Sequence, residues 1–498
     1  MLILRLIAVL MCATLPTLAQ IPSYGIDSFH APADRRWAGI TARDVDAAYK
    51  LLLENHPGAA PALHDTSFQH RLAEAHAAAL TRAHTVTSYN GYIFTLAGFA
   101  TAMGDKHIWS RPAFAVAYPK WAGILLSKRG SSYVVTDTER PQASLLGAEL
   151  LSCDNISAAD LAQKNLGGFH ADWTVGAQQT QAAPWLLVDE ENPFIHKPVA
   201  CVFSKDGKQQ SVTLAWTRIK RETLLPRLKT AIGAGAAGFD VRKVGLGYWI
   251  ALQDLSAPQT DDVLKAVAAQ KDTLRRAPFV VVDLRGNGGG SSEVGREIAN
   301  SLMGQPFVDA RLGIDSQSNC GGADGAWRTS EDNINDMHYL LTTVLAGGAE
   351  AQRIFGEIYH DAKAARARGE EFSASIHCPP PPPALPVSQQ PPSLMRGKFL
   401  LLTDNLCFSS CLAVTDNFRA LGAFQIGQTT DAATHFTEVR ETYLPSGYSL
   451  FSTLQSVDDP SGTSRVGPYE PMLPYNGDIA NTAALEIWVV KFAVPAAH

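Results

Sequence analysis

The chain has 498 residues, 46% of them hydrophobic and 18% charged, which is enough apolar material for large buried cores and suggests about three domains. The formal net charge is −6 at pH 7 and no Lys/Arg-rich run occurs, whereas a nucleic-acid-binding protein needs a concentrated basic face. We therefore expect a globular protein with no nucleic-acid partner.

The first twenty residues have the layout of a signal peptide. Arg5 supplies a positive charge, residues 6–15 are apolar, and small residues at the recognition positions predict cleavage after Ala19. The apolar stretch is shorter than the roughly 20 residues of a transmembrane helix, and no later run is long enough. A lipoprotein anchor at Cys12 is disfavoured because Met11 stands where a small residue is expected, and a buried N-terminal helix is the other alternative. The sequence predicts a periplasmic or secreted protein, without membrane insertion after signal cleavage.

Six cysteines remain after that cleavage, an even number that permits disulfides in an oxidising compartment but allows about 15 pairings. No paired CxxC motifs indicate a metal site. Cys407 and Cys411, four residues apart, either lie close on one helical turn or are separate small buried residues. The six are Cys153, Cys201, Cys320, Cys378, Cys407 and Cys411.

Three helices are predicted early in the chain and form an N-terminal helical domain over 20–114. The acidic residues of Asp44-Val45-Asp46 are expected to open the first helix, which ends at His56-Pro57-Gly58. Apolar residues at helical spacing predict a second helix over 68–83 and a third from Tyr89 to about Met103.

Residues 115–222 change to short β-type runs and form a small β-rich module, with a short helix from Ser157. Two hairpins are predicted, each from two apolar runs on either side of a glycine turn: 122–126 with 133–135, and 199–203 with 212–216.

Residues 223–498 have the pattern of an α/β core. The apolar run 279–282 is typical of a buried parallel strand, and a helix is expected over 291–303. The same order recurs with a strand at 399–403 and a helix from about Ser409 to Leu421. An insertion at 346–396 is helical and then proline-rich over 379–392, which indicates a polyproline II surface linker.

A glycine-rich segment, Asp283-Leu284-Arg285-Gly286-Asn287-Gly288-Gly289-Gly290, follows the first of these strands. Glycines let the backbone approach a ligand closely, and N–H groups at a helix start form a nest that suits an oxyanion. A phosphate loop is an alternative, but neither GxxxxGK[ST] nor a well-formed GxGxxG is present. A plain structural turn is the other alternative.

The second strand is followed by Cys407-Phe408-Ser409-Ser410-Cys411. A serine at the start of a helix presents its hydroxyl beside N–H groups, which suits a nucleophile. The alternative is that Ser409 or Ser410 is only a helix N-cap.

A third segment, Gly104-Asp105-Lys106-His107, ends the third predicted helix. A histidine suits a general base because histidines change charge near neutral pH. The alternatives are a surface or core histidine or a cap for the preceding carbonyls, and the chain has 14 histidines in all.

Together these ordered segments resemble the S41 family of tail-specific, C-terminal-processing peptidases, in its tricorn-like Ser/His branch. The resemblance covers about residues 40–495 and implies a multi-domain α/β (α+β) fold: an N-terminal helical domain, a PDZ-like module and a ClpP/crotonase-like catalytic core. The matching segments are 283–290 (glycine-rich), 407–411 (nucleophile), 105–108 (histidine) and 146–150 (a strand of the PDZ-like module).

The resemblance implies that Ser409 is the nucleophile, and that the N–H groups of Ser410 and of Gly288 or Gly289 form the oxyanion hole. Family members take the base either from a lysine that follows the serine or from the histidine of the helical domain. No lysine lies between Lys398 and Lys491, which excludes the serine/lysine pair. His107 is therefore the predicted base, and His435 is the alternative base.

An acidic residue orients the histidine or serine in this branch. Glu470 is the predicted candidate, with Glu438 and Glu441 as competitors and ordinary surface charge as the alternative. The chain departs from the family pattern at Lys106, where glycine is usual, and at Leu412, where many members have glutamate.

The resemblance further implies an exported serine-type peptidase that acts on a peptide or protein through an acyl-enzyme, with no metal or organic cofactor. The PDZ-like module would bind peptide by adding a strand to a sheet edge. Two alternatives are an inactive peptide- or lipid-binding scaffold of the same fold and an esterase-type hydrolase with the same Ser/His pair, although GxSxG is absent.

Overall fold

The computed structural model describes residues 25–313, 325–345, 349–373, 386–458 and 466–493. The predicted signal peptide, Cys320, Cys378 and residues 379–385 of the proline-rich segment lie outside the described residues. The described chain divides into two compact units, one of residues 25–232 and 438–455 and the other of residues 233–437 and 456–493. Within these ranges, no helix combines the length and hydropathy needed to cross a membrane.

The first unit contains the helices and β-rich module predicted for the N-terminal part of the chain. Its described helices are α1 (Trp37–Asn55), α2 (Thr66–Ala83), α3 (Tyr89–Ala102), α4 (Ala158–Leu166), α5 (Gly176–Ala182) and α6 (Arg221–Ala231). Its described strands are β1 (Ser110–Pro112), β2 (Lys120–Trp121), β3 (Ile124–Arg129), β4 (Ser132–Thr138), β5 (Glu149–Cys153), β6 (Ile156–Ser157), β7 (Val188–Asp189), β8 (Ala200–Lys205), β9 (Lys208–Thr213) and β10 (Thr217–Arg218).

Helix α1 begins at Trp37, seven residues before the predicted start at Asp44. Asp44 is fully buried inside the helix, where its carboxylate accepts hydrogen bonds from Tyr92 Oη at 2.7 Å and from Ser446 N at 3.1 Å. The acidic pair was therefore wrong as a helix-start signal, because Asp44 is an internal acceptor. The ends of the predicted helices agree more closely, and Asp65 and Ser88 cap α2 and α3 by accepting backbone N–H groups.

Both predicted hairpins are present, as β3 with β4 and as β8 with β9. They share one sheet of order β3-β4-β5-β8-β9, in which β6 pairs with β5. Cys153 of β5 lies opposite Cys201 of β8, and the two cysteines form a disulfide. Ser157, the predicted helix start, caps α4 by accepting the N–H of Asp160 at 3.1 Å.

The second unit is built on a six-stranded sheet. Its described helices are α7 (Pro258–Arg276), α8 (Glu293–Met303), α9 (Gln305–Leu312), α10 (Glu331–Tyr339), α11 (Ala349–Ala367), α12 (Ser410–Ala420) and α13 (Thr482–Ala493). The strands from this part of the chain are β11 (Phe239–Val244), β12 (Gly247–Leu252), β13 (Phe279–Asp283), β14 (Ala326–Trp327), β15 (Lys398–Thr403), β16 (Phe424–Gly427), β17 (Phe436–Tyr443), β18 (Ser449–Val457) and β19 (Leu473–Pro474), of which β17 and β18 contribute residues to both units.

The order of this sheet is β11-β12-β13-β15-β16-β19, with all neighbours parallel except β11 and β12. Alternate residues of β13 face opposite sides, so Val280 and Val282 pack with helices α7, α8 and α12, while Phe279 and Val281 pack with α13. Each such fully buried side chain stabilises the fold by about 1.5–3 kcal/mol. These helix-covered faces confirm the predicted mixed α/β class.

The register of β13 and β15 places the segments that follow these two strands side by side. Asp283, the last residue of β13, pairs with Leu402 near the end of β15. Because parallel strands end at the same edge, the glycine-rich loop after β13 and the serine turn after β15 are neighbours. Two segments more than 100 residues apart in sequence therefore form one site.

Candidate active site

Ser409 occupies a strained turn between strand β15 and helix α12. Its backbone angles are φ 56° and ψ −131°, a left-handed region that favours glycine and that other residues adopt at a free-energy cost of about 1–3 kcal/mol. Its side chain makes no capping hydrogen bond to the helix. The simple N-cap alternative is therefore not supported, and the geometry is that of a nucleophile turn between a strand and a helix.

A disulfide encloses this turn. Cys407 and Cys411 are joined, are both fully buried and have Cα atoms 5.3 Å apart. The alternative that they are separate buried thiols is therefore wrong. The covalent ring contains Phe408, Ser409 and Ser410, so the nucleophile candidate lies inside a segment whose ends cannot separate.

The glycine-rich loop presses directly on Ser409. A Cβ added to Gly289 would lie 2.7 Å from Ser409 Cβ and 3.0 Å from both Phe408 O and Ser410 N. Gly289 also has a φ of +112°, which only glycine adopts readily. The loops are further joined by a hydrogen bond of 3.2 Å from Phe408 N to Asn287 O. This contact and the positive φ together require glycine at position 289.

The N–H groups of the three predicted oxyanion donors differ in their surroundings. The N–H of Gly289 donates to Asn287 Oδ1 at 2.9 Å, so it is already engaged. Gly288 is exposed, and Ser410 is the first residue of α12, where an N–H has no acceptor within its own helix. Ser410 Oγ donates to Gly290 O at 2.6 Å and holds the helix start against the loop.

The base of the glycine-rich loop is held by buried charge. Asp283 and Arg285 form a fully buried ion pair at 2.7 Å, and Trp249 Nε1 donates to Asp283 at 2.9 Å. Asp404, at the start of the serine turn, accepts the N–H of Gly286 at 2.8 Å. Burial raises the pKa of Asp404 to about 7, against the opposing effect of its backbone hydrogen bonds.

His107 lies in the first unit, five residues after helix α3 ends. Asp105 Oδ1 accepts the backbone N–H of His107 at 2.8 Å and lies 2.8 Å from its ring Nδ1. The Asp105 side chain is 2% exposed and the His107 side chain 14% exposed. A carboxylate at Nδ1 favours the tautomer with the proton on that nitrogen, which leaves Nε2 as the acceptor. This is the arrangement that a general base needs.

Sequence reasoning predicted Glu470 as the orienting acid and did not consider Asp105, whose carboxylate contacts the His107 ring. The signal was available in the Asp105-Lys106-His107 segment, because an aspartate two residues before a histidine can accept both its backbone and its ring N–H. Glu470 is exposed, and its backbone carbonyl accepts a hydrogen bond from Arg419 at 3.0 Å. Its catalytic role remains a prediction.

The structure also places the two competing acidic residues, Glu438 and Glu441, and the alternative base His435. Glu441 accepts Trp109 Nε1 at 2.7 Å and Arg111 Nη2 at 2.7 Å in the first unit. Glu438 has a left-handed backbone, with a φ of 61°. In the second unit, the carbonyl of His435 accepts the N–H of Asp458 at 2.9 Å.

A cavity of about 210 Å³ lies beside Asp105 in the first unit. Its wall comes from the end of helix α3 and from the loop before helix α5, and it is mainly apolar. The lining includes Ala97, Ala100, Thr101, Phe169, His170 and Gln178. The cavity offers room for a side chain next to the segment that carries His107.

The chain was compared with known protein families, with curated proteins and with solved structures. Peptidase family S41 matches residues 246–469, which include the glycine-rich loop and Ser409. No curated protein matches the chain. The crystal structure of mature CPAF is 15% identical, with a TM-score of 0.56 over 92% of this chain and 96% of that chain. A mutant form of CPAF gives a TM-score of 0.60 at 14% identity, over 92% of this chain and 97% of that chain.

At such low identity, the likeness to CPAF shows the fold alone. The assignment to a family comes instead from the sequence match, which covers the sheet edge where the two loops meet. Residues 246–469 therefore match peptidase family S41, and the predicted resemblance to that family and the prediction of a serine-type hydrolase are confirmed at the level of the family.

Proposed function

We propose that the protein is an exported peptidase that cleaves peptide bonds through an acyl-enzyme on Ser409, with His107 as its general base. The observation that carries this proposal is the left-handed Ser409 held against Gly289. Backbone strain of this kind is found at functional sites, and a serine on a strained strand-to-helix turn presents its hydroxyl beside the backbone N–H groups of the helix start. Export is proposed from the signal-peptide pattern of residues 1–19.

The reaction has two acyl-transfer steps. In the first, Ser409 Oγ attacks the peptide carbonyl while His107 Nε2 accepts its proton, and the N–H groups of Gly288 and Ser410 donate to the oxyanion. The imidazolium then protonates the leaving amine as the C–N bond breaks. In the second, His107 activates a water molecule that attacks the acyl-enzyme, and Ser409 regains its proton. No step of this scheme requires a metal or an organic cofactor.

Asp105 is proposed to hold His107 in the required tautomer and to stabilise the imidazolium that forms. Its nearly complete burial and its 2.8 Å approach to Nδ1 support this role. Glu470 is kept as the rival acidic residue. The β-rich module is proposed to be PDZ-like and to bind peptide substrate by adding a strand to a sheet edge.

Ser409→Ala tests the proposed nucleophile. The wild type should react covalently with a fluorophosphonate probe and hydrolyse a mixed peptide library, and the variant should do neither. Both are measured by intact mass spectrometry and by peptide release, with Ser410→Ala as the neighbouring control, since that change keeps the Ser410 N–H. Mature CPAF has been solved in complex with lactacystin, so lactacystin is a second probe.

An unreactive wild type would contradict the peptidase proposal and favour the peptide- or lipid-binding scaffold. A wild type that hydrolyses esters but no peptide would favour the esterase alternative.

Gly289→Ala should lower the rate of probe labelling by about 100-fold or more, because the new Cβ forces apart the loop and the serine turn. Gly288→Ala is the matched control: it keeps the N–H, and a Cβ there would meet no atom within 4 Å. The decrease in labelling rate in Gly288→Ala should be much smaller than in Gly289→Ala. Labelling rates and melting temperatures of both variants check this, and equal losses in both would contradict the contact between the two loops.

A further inference from the structure

Asp404 is a buried aspartate that joins the glycine-rich loop to the serine turn. It follows the last residue of β15 and is 1% exposed. Its two carboxylate oxygens each accept one N–H: Oδ2 accepts from Gly286 at 2.8 Å and Oδ1 from Leu406 at 3.0 Å. Gly286 begins the glycine run that includes Gly288, and Leu406 precedes Ser409 by three residues. One carboxylate therefore holds both segments.

The negative charge of Asp404 is less well compensated than that of the neighbouring Asp283. Asp283 at the same sheet edge is paired with Arg285, whereas Asp404 has no ion-pair partner within the described ranges. Asp283 and Arg285 are the charged groups that act on Asp404, with opposite effects on its pKa, and burial has the largest effect. A buried, unpaired carboxylate lowers stability, so its presence between two loops of a site indicates a functional role.

We propose that ionised Asp404 is a positioning residue, which fixes the separation between the oxyanion donors of the glycine-rich loop and the nucleophile Ser409. Only the ionised carboxylate accepts both N–H groups without directing a proton at one of them. Protonation therefore loosens one of the two hydrogen bonds, and the loop moves relative to the serine. The inference rests on the proposed role of Ser409 as the nucleophile.

The sign of the pH dependence follows from the raised pKa. The folded protein binds a proton on Asp404 up to about pH 7, whereas the ordinary value for aspartate is 3.8. Between these values the folded state binds more protons than the unfolded state, so this group's stabilisation is complete below pH 3.8 and is lost as pH rises towards 7. Activity should follow the opposite direction, because it requires the ionised form.

Asp404→Asn separates these two effects. At pH 8 the variant should label with the fluorophosphonate about 10- to 100-fold more slowly than wild type, because an amide can accept only one of the two N–H groups. Its melting temperature should nevertheless equal or exceed that of wild type by a few degrees, because no buried charge remains. At pH 5.5 the ratio of labelling rates should shrink and the melting-temperature advantage should disappear.

Asp44→Asn is the matched control, because Asp44 is equally buried but its carboxylate has hydroxyl and N–H donors in the first unit. That variant should melt below wild type at pH 8 and label at the wild-type rate. Asp404→Asn that labels at the wild-type rate, or that loses stability and labelling together at both pH values, would overturn the inference. An unreactive wild type would instead overturn the proposed function.

If Asp404→Asn does not fold, amide hydrogen exchange of the wild type tests the same inference. After correction for intrinsic exchange rates, protection of the Gly286 and Leu406 amides should rise between pH 5.5 and pH 8. Protection at these amides that is unchanged over this range would contradict a pH-dependent carboxylate tie.

Discussion

His107→Ala is expected to reduce peptide hydrolysis by about 10⁴- to 10⁶-fold, because the variant lacks the proposed base for the Ser409 proton. The fold should persist, since the backbone N–H of His107 can still donate to Asp105 and Ser452 Oγ can still donate to the carbonyl of residue 107. The measurement is kcat/KM on a peptide substrate, with the melting temperature as the check on folding.

His435→Ala is the control for this prediction, because His435 is the alternative base. Its loss should leave kcat/KM within a few-fold of wild type. A large loss in His435→Ala together with near-normal hydrolysis by His107→Ala would reverse the assignment of the base.

Asp105→Asn is expected to lower kcat by about 10³- to 10⁴-fold with little change in KM. The amide NH₂ of the variant favours the tautomer with the proton on Nε2, where it cannot act as a base. In the proposed mechanism the carboxylate also stabilises the imidazolium. Because Asp105 is buried, the melting temperature is measured in parallel, and activity is normalised to the folded fraction.

Glu470→Gln is the matched comparison, since it replaces the rival carboxylate by an isosteric amide on an exposed side chain. If Asp105 orients the histidine, the loss in Glu470→Gln is smaller by at least about tenfold. A variant at 470 that loses as much as Asp105→Asn, while still reacting with the fluorophosphonate, would restore Glu470 as the acidic residue.

Much of the fold was predictable because hydrophobic spacing and turn residues act locally. The apolar strand at 279–282, both hairpins and the helix after Ser409 are present close to the predicted bounds. The first helix was misplaced because Asp44 satisfies two donors that only the folded chain brings to it. A residue whose partners are distant in sequence carries no local sign of its role.

The sequence by itself determined which residue types are available for chemistry. It placed a glycine run after one buried strand and a serine after another, and the lack of lysine between 398 and 491 excluded the serine/lysine pair that the family resemblance allows. These conclusions need no coordinates, because composition and order along the chain are enough to support them.

The tertiary structure alone decided how these parts act together. Parallel pairing of β13 with β15 brought Gly289 against Ser409, engaged its N–H with Asn287, and left Asp404 to hold both loops. The disulfide between Cys407 and Cys411 and the contact of Asp105 with His107 were likewise established only by the folded chain. The physical reason is that distances of a few ångströms, backbone angles and burial arise from packing, which brings together groups that the linear order leaves far apart.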